Sequence, residues 1–242
     1  MNMPRTPDLR IDCGHCPIRH RAVCARCEDD ELTRLNAIKF YKSYEPGQVI
    51  AMRGDQADFV ASVVSGVATL TNSLEDGRTQ VVGLLLPSDF MGRPGRGTIA
   101  HDVTAATDIT LCCFHRKPFE TLLVEMPNVG KRLLEMSLDE LDAARDWMLL
   151  LGRKTAREKV ASFLYLVMRR SGTPDDMDTG APVRIDLPLS REVAANYLGL
   201  TIETVSRQLT ALKKEGVIEL DGARTIFVPD QEALAAEADL AD

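Results

Sequence analysis

The 242-residue sequence contains no run approaching the roughly 20 apolar residues that a membrane span requires. Its first dozen residues, MNMPRTPDLRID, lack the apolar core of a signal peptide. Both absences predict a cytoplasmic protein with no membrane partner. In that compartment a reducing poise disfavours stable disulfides. Positive charge is also lacking: 29 Lys and Arg stand against 36 Asp and Glu, a net charge of -7. This does not exclude nucleic acid as a partner, because local rather than net charge governs such binding. Much of the acidity is confined to the tail, DQEALAAEADLAD. With 45% hydrophobic residues the chain can bury one substantial core or two modest ones.

Against these absences stands a concentration of cysteine. Four of the six cysteines lie in residues 13–27, CGHCPIRHRAVCARC, and the other two are adjacent at Cys112 and Cys113. Thiolates are soft ligands suited to zinc and to iron–sulfur clusters. A zinc site could use Cys13, Cys16, Cys24 and Cys27 alone, although the seven-residue spacer is shorter than the common ribbon spacing of about 15–20. A [4Fe–4S] cluster needs four cysteines, one of which can come from far away in sequence. No catalytic base or cofactor motif accompanies the thiols, so an enzyme is not expected. His15 and His20 are spare nitrogen ligands. Arg19, Arg21 and Arg26 are either exposed charges or a counterweight to a thiolate cluster.

The rest of the chain predicts an α+β protein. DDELTRLNAI reads as a short amphipathic helix with Leu32 and Leu35 on one face. From residue 40 to about 115, short apolar runs alternate with turn signals, which predicts an antiparallel β-roll of jelly-roll type. Within it, FVASVVSGVATLTNSLEDGRTQVVGLLL reads as a hairpin of two β-branched runs turning at Glu75-Asp76-Gly77. TLCCFHRKPF reads as the last strand. There Cys112 shares a side with Thr110 and Phe114, and Cys113 shares the other with Ile109 and Leu111.

A helical period then runs from 127 to about 152 as a long dimerisation helix. Heptads place Leu134, Leu141 and Met148 at a, and Ser137, Ala144 and Leu151 at d. The predicted seam of a homodimer is Leu134, Leu141, Ala144, Met148 and Leu151, weakened by Ser137 and Ala144. A second helix spans about 154–170, and SGTPDDMDTGAP is a loop by composition.

The segment PLSREVAANYLGLTIETVSRQLTALKKEGVIELDGARTIFV reads as two capped helices broken at Gly199, followed by a hairpin at Asp221-Gly222. This is a winged helix-turn-helix. Its second helix enters the major groove N-terminus first, which puts Glu203, Thr204, Ser206 and Arg207 at base edges. Lys213 and Lys214, at the far end, are placed for phosphates. The boundaries are therefore 1–28 for the cysteine-rich segment, 29–126 for the roll, 127–152 for the dimerisation helix and 153–242 for the DNA-binding domain.

Roll, long helix and winged helix-turn-helix, in that order, resemble the cyclic-AMP receptor/FNR superfamily of bacterial regulators across essentially the whole chain. LGLTIETVSRQL is similar to the recognition segment of the FNR (fumarate and nitrate reduction) branch. RHRAVCARC and LLLPSDFMGRPGR look close to its alphaproteobacterial FnrL-type members. The resemblance implies an oxygen-sensing regulator of transcription, activating or repressing, with RNA polymerase as a partner. It implies base readers at Glu203, Ser206 and Arg207, with Ile202 where the receptor branch carries an arginine, and hence an inverted repeat of TTGAT…ATCAA type. It also implies one [4Fe–4S] cluster per subunit on Cys13, Cys16, Cys24 and Cys112, with Cys113 the alternative fourth ligand and Cys27 unassigned. The cyclic-nucleotide cassette of the superfamily needs Gly-Glu and Arg-Ser pairs. SDFMGRPGRGTIAHDVTAAT has neither, so no cyclic nucleotide is expected. The alternative is a zinc-stabilised or thiol-redox regulator of the same fold that binds DNA constitutively.

Overall fold

Helix α1 (Asp29–Ile38) begins where Glu28 and Glu31 form a reciprocal capping box, each side chain meeting the other's backbone N–H. Two acids do here what Ser or Thr with Glu does more commonly. The helix buries Leu32 and Leu35 on one face, as its pattern predicts. The computed structural model describes residues 11–171, 182–187, 189–222 and 225–239. It divides into two compact units, Met1–Ala143 and Ala144–Asp242, with the division inside one long helix.

The first unit is a roll of two four-stranded antiparallel sheets. One has the order β1-β8-β3-β6, from β1 (Lys39–Tyr44), β8 (Ile109–His115), β3 (Phe59–Ser65) and β6 (Phe90–Met91). The other has the order β2-β7-β4-β5, from β2 (Val49–Ala51), β7 (Asp102–Ala105), β4 (Ala68–Ser73) and β5 (Thr79–Leu85). Alternate residues such as Ala61, Val63, Val103, Ile109 and Leu111 fill the space between them.

The hairpin expected over residues 59–86 is two features rather than one. β4 and β5 do pair, with the turn held by Leu74 N–H donating to Arg78 O at 2.8 Å. β3 does not pair with β4; it lies between β8 and β6 in the other sheet. The chain changes sheet at Gly66, where φ is +81° and a Cβ would come within 2.0 Å of the Asp108 carbonyl. Only glycine meets both conditions without strain.

Helix α2 (Arg116–Glu125) follows β8 directly and carries its proline in the first turn, where a missing N–H costs nothing. α3 (Pro127–Arg153) covers the long helical pattern. In the second unit α4 (Ala156–Ser171) matches the next one. Residues 172–181, the bulk of the expected loop, lie outside the described residues. β9 (Val183–Asp186) has no counterpart in the sequence reading. It is the outer strand of a three-stranded sheet, β10-β11-β9, completed by the expected wing strands β10 (Glu219–Asp221) and β11 (Thr225–Val228). Four residues are too few to show a period. The acidic tail forms helix α7 (Gln231–Glu237), capped by Asp230 and packed on α4 with Leu234 and Ala238 buried.

Candidate metal centre and nucleic-acid interface

The cysteine segment begins with a 3-10 turn, Cys13–His15, and is shaped by one guanidinium. Arg19 donates to the carbonyls of Cys24, Ala25 and Cys27 at 2.7, 2.7 and 2.8 Å. Arg26 pairs with Glu135 on α3 at 2.9 Å, and Arg132 donates to Arg21 O at 2.7 Å. Arg19 and Arg26 thus help to fold the loop and fasten it to α3, and the Arg19 charge also lies near enough to favour the ionised thiols of Cys24 and Cys27. Burial alone would raise the Glu135 carboxyl, but Arg26 and Arg132 hold it below the usual carboxylate range. His15 pairs with Asp12 at the exposed edge.

On β8 the two adjacent thiols face opposite ways. Cys113 is fully buried inside the roll with Ile109 and Leu111. Cys112 faces outward and is half-buried. It packs in one apolar group with Cys13, Cys24, Val23 and Phe114, and in a neighbouring one with Cys16, Cys24, Ile18 and Tyr41. Cys27 is buried beside Leu32 and Leu35. Its thiol is pushed up to about 12 by burial and by Cys24. Burial likewise raises the thiols of Cys24 and Cys112.

Cys13, Cys16, Cys24 and Cys112 thus share one patch. Among the described residues no three His, Cys, Asp or Glu side chains form a single-ion ligand group. The Cys13 thiol donates to Asn36 Oδ1 at 3.4 Å and accepts from Lys39 Nζ at 3.3 Å. The donor chemistry suits a sulfur-rich group, with four soft thiols drawn from two chain segments and apolar walls around them. Ser62 Oγ, opposite Cys112 across β3 and β8, is buried with no hydrogen-bond partner among the described residues.

In the second unit Ser190 caps helix α5 (Arg191–Leu198) by accepting from Val193 N–H. Gly199 ends it in the left-handed region at φ +61°, and Thr201 caps helix α6 (Ile202–Lys214) by accepting from Thr204 N–H. Val205, Leu209 and Leu212 are buried, which fixes α6 on its neighbours. Its first turns present Glu203 and Arg207 exposed, with Thr204 and Ser206 half-buried. The Glu203 carboxyl is held below the usual range by its own backbone amide and by the Thr201 hydroxyl. Lys213 and Lys214 are exposed in the last turn, about 18 Å along the axis from Thr201. Arg157 on α4 anchors that end through Glu215 at 2.6 Å and Glu237 at 2.5 Å.

The Crp-like helix-turn-helix domain matches residues 158–237, and the cyclic nucleotide-binding domain matches residues 41–125. Over 238 residues the chain is 60% identical to the transcriptional activator protein FnrL of Cereibacter sphaeroides, covering 98% of this chain and 96% of that one. The chain belongs to the FNR branch of the Crp/FNR superfamily. It is 31% identical to the fumarate and nitrate reduction regulatory protein of Salmonella typhimurium, covering 94% of this chain and 90% of that one. The solved structure of FixK2 from Bradyrhizobium japonicum matches with a TM-score of 0.76 and 33% identity, covering 85% of this chain and all of that one. This FNR-branch protein is a regulator of transcription, not an enzyme.

The regulator's α3 carries an open apolar stripe: Leu134, Leu141 and Met148 are exposed, as are Ser137 and Ala144. Leu138 and Leu149 are exposed too, and heptad letters alone missed both. Leu151 is half-buried, its Cδ2 3.6 Å from where a Cβ on Gly199 would sit. On the other side of the helix Trp147 stacks on Tyr197 of α5, ring centroids 3.8 Å apart. In the roll, Arg53, Arg93 and Arg96 are exposed near His101, whose pKa burial and the three arginines lower. Among the described residues no helix is long and apolar enough to cross a membrane.

Proposed function

We propose that this regulator responds to oxygen through a [4Fe–4S] cluster held by Cys13, Cys16, Cys24 and Cys112, and binds an inverted repeat of TTGAT…ATCAA type as a homodimer. The observation that carries the reading is the outward turn of Cys112 into the patch that holds the three N-terminal cysteines, beside a loop fastened to α3. Cys113, inside the roll, has no such access.

When bound, the cluster supplies an oxygen-labile tie among four thiolates. The chain's own residues carry the consequence onward. Arg19 keeps the cysteine loop in one shape, and Arg26 and Arg132 seat that loop on the first half of α3. α3 in turn presents Leu134, Leu138, Leu141 and Met148 to a second copy, so a well-seated loop favours a dimer. Shifting a two-state equilibrium from 1:99 to 99:1 takes about 5.5 kcal/mol. A seam with exposed Ser137 and Ala144 at its d positions is weak enough for such an input to decide.

A dimer brings two α6 helices to successive major grooves. There Arg207 offers a bidentate donor to guanine and ionised Glu203 accepts from a cytosine amino group. Ser206 lies on the same turn, and Thr204 divides its hydroxyl between base and cap. Lys213 and Lys214 supply phosphate attraction.

Anaerobic purification tests the reading, with an absorption spectrum, iron, sulfide and zinc analysis, and mass in solution before and after air. The expected result is a coloured dimer that loses sulfide and dissociates in air. A colourless chain with one zinc, dimeric in both conditions, would replace it with the zinc-stabilised alternative.

A further inference from the structure

We propose that Ser62 donates a hydrogen bond into the sulfur site at Cys112 and slows loss of the group held there. The inference rests on the reading of Cys112 as a ligand. Ser62 is 2% exposed, yet its hydroxyl has no partner among the described residues. A buried hydroxyl without a partner is costly, and such groups are rare enough to need a reason.

Its position supplies one. Ser62 pairs with Cys112 in the register between β3 and β8, and directly opposed residues share a face of a sheet. Its neighbours on that face, Val60 and Val64, belong to the two apolar groups that receive Cys13, Cys16, Cys24 and Cys112. Ala61 and Val63, on the other face, belong to the roll interior with Cys113. The hydroxyl therefore sits in the wall of the cysteine patch, where an apolar residue would serve packing better. A donor aimed at a thiolate or sulfide draws electron density from it, and hydrogen bonds to sulfur are among the levers that set the potential of such centres.

The role predicts opposite effects of one substitution in two states of the chain. In the metal-free protein S62A removes an unsatisfied group and leaves thermal stability unchanged or raised. In the anaerobically loaded protein S62A shifts the visible absorption band and hastens its bleaching in air about two- to tenfold, the loss expected for one hydrogen bond. S62T, which keeps the hydroxyl, restores the wild-type rate. Loaded S62A with the wild-type band and bleaching rate would overturn the inference. So would metal-free S62A melting lower than wild type, because the hydroxyl would then be satisfied within the protein. If wild-type protein takes up no iron or sulfide, the underlying reading fails with it; if wild type loads and S62A matches it, only the inference fails.

Discussion

Arg26, in the loop of four cysteines, meets Glu135 on the long helix α3 at 2.9 Å across 109 residues of sequence. The pair joins the candidate sensing segment to the helix that carries the apolar stripe. Its side chains are 52% and 28% exposed. Solvent therefore screens it, and a coupling of about 0.2–1 kcal/mol is expected. A double-mutant cycle on R26A and E135A, read as the dimer dissociation constant under anaerobic conditions, should return that value and shrink as salt is added. A coupling of zero would remove this pair from the signalling route.

The two thiols of β8 should behave differently on replacement. C112S is expected to lose the iron and sulfide of anaerobically purified protein. C113S should keep them but melt lower, because a hydroxyl is costlier to bury in the roll interior than a thiol and its shorter bond draws it back from the Leu111 carbonyl that Cys113 Sγ meets at 3.8 Å, at a cost of about 1–3 kcal/mol. Metal analysis and a denaturant titration of each variant check both halves. Retention of iron by C112S would transfer the ligand role elsewhere.

On α6, R207A should cost about 1–3 kcal/mol on the inverted repeat and relax discrimination at one base pair of each half-site. K213A should weaken all sequences alike and flatten the salt dependence by about one phosphate contact. Anisotropy titrations on matched and singly altered duplexes, each at several salt concentrations, separate the two behaviours. If K213A is without effect, Lys213 serves the helix C-terminus rather than DNA.

Glu237 gives the winged unit a pH signature. The Arg157 hydrogen bond outweighs burial and holds its carboxyl below the ordinary 4.5. A depressed carboxyl stabilises the fold above its unfolded value and loses that contribution as pH falls through the lower folded one. Wild type should therefore melt above E237Q at neutral pH, and the two should converge well below pH 4.5. A gap that persists in strong acid would assign the difference to packing instead.

Much of this architecture was legible in the sequence because its signals are local. Thr201 and Ser190 announce helix starts, Gly199 announces the turn, and strict alternation separates Cys112 from Cys113 within one strand. What was missed depends on distant partners. The break at Gly66 becomes visible only once the Asp108 carbonyl crowds it. The acidic capping box of α1 gains support from Asn128, which donates to Glu31 at 3.0 Å. The pairing of Arg26 is not legible because nothing local marks Glu135 as its partner. Leu138 fell outside the seam because a heptad assigns letters, whereas exposure follows the neighbours that are present.

If the proposed cluster is the sensor, the clamp of Arg19 bears on how the site would be reloaded after exposure to air. Its three bonds go to backbone carbonyls and none to a sulfur. The bonds that shape the turn holding Cys24 and Cys27 thus do not themselves involve the thiols. Loading of the proposed cluster would then be a capture onto a preformed loop, its ordering entropy met during folding. On the proposed reading, such a regulator would be recharged without the loop being refolded.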